Sequence, residues 1–171
     1  EHIFHPTMEA MNAEGRAFKG VLYFGLMLTP QGPRVVEYNA RFGDPETQPI
    51  LSMLETDLLD IMEAVIDERL AEIEIKWKPG AACCVVLASG GYPVKYQTGY
   101  EISGLDKVPE DVIVYHAGTR LENGRYYTAG GRVLGVTAVA EDLPRAVEKA
   151  YAGAAKISFK DMHYRKDIGS K

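Results

Sequence analysis

Glu37, Asn39 and Arg41 stand at alternate positions of an otherwise apolar run, VVEYNARF, residues 35 to 42. Successive side chains of a strand point to opposite faces, so these three share one side with Val35. Val36, Tyr38, Ala40 and Phe42 share the other, which reads as a packing face. Residues two apart on one face lie about 6.5–7 Å apart along the strand, so two long side chains can reach one ion. A carboxylate oxygen and an amide oxygen are hard ligands suited to Mg²⁺, which keeps its other positions for water and phosphate oxygens. Arg41, just beyond, could neutralise the same phosphate. The pattern also describes a strand with one wet face whose polar residues are solvent decoration, and the spacing alone does not separate the two.

The loop that follows adds acids. Asp44 and Glu46 flank Pro45 and follow Gly43. Three acids and one Arg so close together are costly unless a cation sits there or the groups are well exposed. Asp44 or Glu46 has a second reading, as the cap of the next helix through its free backbone N–H groups.

The elements around these residues follow from periodicity. Residues 6 to 14 predict a short helix closed by Gly15. Strands are expected over 20–29 and 34–42, joined by the turn PQGP as a hairpin. From about Thr47 to Leu70 the apolar residues recur at three and four: Ile50, Leu51, Leu54, Leu58, Ile61, Met62, Val65 and Ile66. That is one stripe of a helix, which Asp57 could split in two. KWKPG is a junction, AACCVVLAS a buried strand, and GGYP its end. EISGL and VIVYHAG are short strands, and ENGR is an Asn-Gly hairpin turn. RYYTAGGRVLGVTAVA continues as two strands broken at Gly130 and Gly131, which form a bulge or admit a ligand closely. LPRAVEKAYAGAAKI is a closing helix whose buried stripe is Leu143, Val147, Ala150, Ala154 and Ile157. The fold class expected is α+β, dividing near Pro79. Residues 1–78 carry the hairpin and helix, and 79–171 carry most of the strands with the closing helix.

Composition sets the outer limits. The chain has 171 residues, 19 Lys and Arg against 24 Asp and Glu, and a formal charge of −5. No basic stripe suits nucleic acid. Adjacent Cys83 and Cys84 point to opposite faces of a strand and read as reduced core residues. No window is long enough to span a membrane, and no signal peptide is visible, so the cytoplasm is the expected compartment. The opening EHIFHPTMEAMNAEG lacks an initiator Met and a leading strand, which points to upstream sequence. His116 and His163 have no metal-ligand spacing to another histidine and read as structural. Tyr92 reads as packing, and Arg165-Lys166 as solvated surface.

Taken in order, GVLYFGLMLT, VVEYNARFGDPETQ, GYP, YHAGT, TAGGRVLGVTA and YRKDIG resemble the phosphoribosylamine–glycine ligase family, also called glycinamide ribonucleotide synthetases, within the ATP-grasp superfamily. The resemblance runs from about Pro6 to Gly169. It implies the second half of an ATP-grasp domain, an antiparallel sheet with helices, followed by a small strand-rich C-terminal domain with a closing helix. It also implies ligation of glycine to 5-phosphoribosylamine, with ATP, through glycyl phosphate. Under it Glu37 and Asn39 are the expected ligands of Mg²⁺ (or Mn²⁺), and Arg41 lies beside the transferred phosphate. Met27, plain core by pattern, is expected near the adenine. Asp44 and Glu46 border the acceptor pocket, and Arg165 is a candidate contact for the substrate phosphate. The family's N-terminal domain and first ATP-grasp half precede this point, so this chain is expected to need an upstream part of the same polypeptide. Relatives often carry glycine at the position of Asp161. Other readings are a different ATP-grasp ligase or carboxylase, and a non-catalytic binding domain. Retention of Glu37, Asn39 and Arg41 argues against the last.

Overall fold

A hairpin carries the polar triad. In the computed structural model, which describes residues 2–170, β1 (Tyr23–Thr29) and β2 (Gly32–Asn39) pair antiparallel from Tyr23↔Asn39 to Thr29↔Gly32. The Thr29 hydroxyl donates to the Gly32 carbonyl at 2.8 Å across the turn, and Gly32 takes φ 97°, which a side chain would strain. β2 stops at Asn39 rather than 42. Its partner β1 starts at Tyr23 rather than 20, so residues 40–42 meet no strand in that register. Arg41 therefore lies beyond the strand and outside the alternation that the sequence suggested.

Helix α1 (Phe4–Ala13) has no buried residue. Its Phe4 ring meets Phe24 edge-on at 4.5 Å, and Phe24 meets Tyr38 at 5.2 Å. The expected packing face of β2 is otherwise open, with Val36 65% exposed. The helical stretch after the hairpin is two helices, α2 (Thr47–Met53) and α3 (Leu58–Ile66). Asp57 makes the break: its carboxylate accepts from Leu59 N at 2.8 Å and caps α3. The buried position of α3 is Ala64, whereas Ile66, expected in the stripe, is 70% exposed. Two short helices in place of one no longer share a single stripe.

The second half is layered. β3 (Ala81–Ala88), β8 (Arg132–Ala140) and β5 (Val112–His116) form an antiparallel sheet in the order β3-β8-β5. β4 (Glu101–Ile102), β7 (Arg125–Thr128) and β6 (Thr119–Glu122) form a second sheet in the order β4-β7-β6. The β6–β7 turn places Asn123 at φ 49° and Gly124 at φ 77°, the mirror-image turn that Asn-Gly favours. Helix α4 (Leu143–Ala154) covers the first sheet, and Asp142 caps it by accepting from Arg145 N at 2.8 Å. Its buried face is Ala146, Ala150, Gly153 and Ala154, and the expected Leu143 is exposed. Small residues face the sheet because the approach is close. A Cβ on Gly153 would meet Val112 at 2.8 Å and Val136 at 3.2 Å. Val85, Leu87, Leu134, Val136 and Ile157 complete the core. Cys83 and Cys84 are free thiols and both buried. The strand break at Gly130-Gly131 accompanies a register shift between Leu87 and Ala88, which pairs with Arg132. Asp161 takes φ 59°, a left-handed backbone that glycine adopts more readily.

By packing, the chain through Gly43 groups with Glu55–Lys76, and Asp44–Leu54 groups with the chain from Trp77 onward. The polar strand and the acidic loop, adjacent in sequence, thus belong to different packing units.

Candidate functional site

In the first unit, Glu37 and Asn39 lie on the same side of β2. Asn39 Nδ2 donates to Glu37 Oε1 at 3.2 Å. Gly25 sits opposite Glu37 on β1, and a Cβ there would come within 2.8 Å of Glu37 Cγ. The missing side chain is what makes room for the carboxylate. A turn of the Asn39 amide would present its oxygen beside the Glu37 carboxylate, so the pair fits a hard divalent cation that takes its remaining ligands from water and phosphate. Among the described residues no group of three or more His, Cys, Asp and Glu gathers into a metal cluster, which leaves Glu37 and Asn39 as a two-donor arrangement. Arg41 donates from Nη1 to the Phe42 carbonyl at 2.7 Å. Met27, plain core by its pattern, is instead 58% exposed on β1, because the hairpin has no second layer over that face within its unit.

The second unit holds a cleft of about 410 Å³ whose lining includes Glu46, Cys84, Tyr92, Arg132, His163 and Arg165. Asp44 forms an ion pair with Arg132. Arg132 Nη1 donates to both the Asp44 carbonyl oxygen, at 2.7 Å, and Asp44 Oδ2, at 2.9 Å. Glu46 occupies the position before α2, makes no side-chain cap bond, and lines the cleft. Burial pulls the pKa of the Arg132 guanidinium down, but the hydrogen bond and charge of Asp44, with Tyr92 and Glu46 adding, raise it above its ordinary value. The Tyr92 ring lies 5.8 Å from the same guanidinium. Arg165 is held by Asp167 through two hydrogen bonds of 2.9 and 2.6 Å, and its bond to Asp167 raises its pKa. The Cys84 thiol is pushed up to about 11, chiefly by burial. His163 pairs through its backbone with Ala88, accepting at 2.9 Å and donating at 3.0 Å. His116 Nδ1 lies 3.0 Å from the Thr119 hydroxyl, and its ring lies against Tyr126.

Asp44, Glu46 and Arg165 thus fall in or beside one cleft, and Glu37 and Asn39 meet on one strand face. The local sequence pattern does not mark Arg132, and it marks Tyr92 only for packing. The usable signal was Gly130-Gly131 directly before an arginine at a strand start. A Cβ on Gly131 would overlap the Tyr92 ring at 2.1 Å, so that glycine is what seats the ring beside Arg132.

The C-domain model of phosphoribosylglycinamide synthetase matches residues 82–171, more than half the chain, and its ATP-grasp (A) domain model matches residues 1–47. The chain belongs to the phosphoribosylglycinamide synthetase family. The phosphoribosylamine–glycine ligase of Caldanaerobacter subterraneus is 49% identical over 99% of this chain and 40% of its own length. A crystal structure of the ligase from Thermotoga maritima matches with a TM-score of 0.78 at 34% identity, over 98% of this chain and 41% of that one. The biotin carboxylase subunit of pyruvate carboxylase shares the fold, with a TM-score of 0.57 at 12% identity over 95% of this chain and 38% of that one. This family member therefore spans about 40% of the length of the curated relative. The family's α+β architecture is the one observed, with antiparallel sheets and helices.

Proposed function

We propose that this chain is the metal- and acceptor-binding portion of an ATP-dependent ligase that joins glycine to 5-phosphoribosylamine. The reading is carried by Glu37 and Asn39, two oxygen-bearing side chains turned to one side of β2 within hydrogen-bonding distance of each other, in a chain of this family. They would hold Mg²⁺ or Mn²⁺, and Arg41 would stand by the transferred phosphoryl group. A bound divalent cation there offsets charge on the phosphate oxygens of ATP. Met27, exposed on the neighbouring strand, would lie toward the adenine.

A carboxylate is a poor acyl donor because its leaving group would be oxide. In the proposed reaction the glycine carboxylate takes the γ-phosphoryl group of ATP, giving glycyl phosphate and ADP. The amine of phosphoribosylamine then attacks the carbonyl carbon, the C–O bond to phosphate breaks, and glycinamide ribonucleotide forms. The protein's part is positioning and charge. Asp44 and Glu46 border the acceptor pocket, and Arg165 approaches the sugar phosphate. The rest of a longer polypeptide would supply the other walls of the nucleotide site. The family models break between residues 47 and 82, an interval that contains the expected domain boundary near Pro79. Among the described residues no helix is long and apolar enough to cross a membrane, and with both thiols free we place the activity in the cytoplasm.

The test uses the complete polypeptide that carries this sequence. ADP release should require both glycine and phosphoribosylamine, and Glu37→Ala should abolish it at limiting Mg²⁺. ADP release that ignores glycine would point to another ATP-grasp reaction. Normal turnover by Glu37→Ala at limiting Mg²⁺ would remove the metal assignment.

A further inference from the structure

Arg132 is mounted more firmly than an exposed arginine needs to be. Its carbonyl accepts from Gly118 N at 2.9 Å. The two residues before it are also tied, Gly130 through its carbonyl to the Ser89 hydroxyl at 2.8 Å and Gly131 through its carbonyl to Ser89 N at 2.8 Å. Gly131 leaves space for the Tyr92 ring, which flanks the guanidinium. From that mount a single nitrogen, Nη1, reaches both the carbonyl and the carboxylate of Asp44. One contact orients the peptide plane and the other fixes the side chain, so the start of the Asp44–Glu46 turn is held at two points. Both partners are partly exposed, 39% and 49% at the side chain, and an ion pair of that kind adds little to stability.

We propose that Arg132 is a positioning residue. It holds the Asp44–Glu46 loop so that the Glu46 carboxylate stays in the cleft that receives the amine substrate. The proposal rests on the reading of that cleft as the acceptor pocket. Asp44 in this scheme is the handle by which Arg132 grips the loop. Glu46, free of any capping bond, is the group delivered. A loop loosened at Asp44 lets Glu46 swing, which weakens acceptor binding and leaves the ATP site unaffected.

The test takes the complete enzyme with Arg132→Ala, Arg132→Lys, Asp44→Ala and the double variant Arg132→Ala/Asp44→Ala. Hydrogen exchange of the segment 43–48 should quicken in Arg132→Ala and quicken less in Arg132→Lys, with the β8 amides unchanged. KM for phosphoribosylamine should rise about tenfold or more in Arg132→Ala, with KM for ATP within about twofold of wild type. The double variant should be no worse than the poorer single one, because both substitutions cut the same link. Unchanged exchange at 43–48 would overturn the proposal. So would a loss from Arg132→Ala that persists in full on the Asp44→Ala background, since Arg132 would then act on substrate directly. A wild-type enzyme with no phosphoribosylamine dependence would instead overturn the acceptor-pocket reading, and the exchange experiment would still decide whether Arg132 holds the loop.

Discussion

The β1–β2 hairpin and the β3–β8–β5 sheet are both antiparallel and both rich in apolar residues, yet they bury very different amounts of them. In the hairpin no residue is buried, and Leu28 is 83% exposed. In the three-stranded sheet Val85, Leu87, Val133 and Val136 are fully buried. A strand gains stability from what covers its faces, more than from its own propensity. The two regions also divide the labour. The thin hairpin carries the polar groups proposed for metal and phosphate, while the thick sheet carries the cleft and gives its arginine a rigid base.

Leu87→Ala should open a cavity at a fully buried site and cost about 3 kcal/mol in urea unfolding of the second unit. A loss below about 1 kcal/mol would mean that the sheet is not the core it looks to be. Thiol labelling sharpens the same contrast. With its pKa near 11, Cys84 should react about a hundredfold more slowly in the folded chain at pH 8 than after denaturation. The sign follows from burial, which favours the neutral thiol, so labelling should speed up as pH rises toward 11. Rapid labelling at pH 8 would show that β3 is open. Gly153→Val should cost about 1–3 kcal/mol, because its side chain would drive α4 off Val112 and Val136; unchanged stability would show that α4 sits loosely. Removing a helix cap comes next: Asp142→Ala should cost about 1 kcal/mol, read by thermal unfolding. At the bottom of the scale, Leu28→Ala should change stability by about 0.5 kcal/mol or less. A larger loss would show that this hairpin face packs against something in solution.

Much of the architecture is written in local pattern. The hairpin, the Asn-Gly turn, the buried strand AACCVVLA and the closing helix each depend on neighbours within one element, and local chemistry is what a sequence displays directly. Asp57 announced a break because a short acid before an apolar run is a cap. The cleft was less visible. Asp44 and Glu46 were marked by their loop, but Arg132 lies 88 positions from Asp44, and no spacing rule joins them. The apolar period puts Leu143 and Ile66 in buried stripes, yet each is exposed, because the facing surface decides which side of a helix is covered.

By itself the sequence determined the family, the order of elements and the common face of Glu37 and Asn39, since alternation along a strand is a property of the backbone. Only the tertiary structure decided that β2 ends before Arg41, that Arg132 grips Asp44, and that Gly131 is there to seat Tyr92. Those outcomes depend on which distant segments meet, and folding in three dimensions, rather than any local preference, makes that choice.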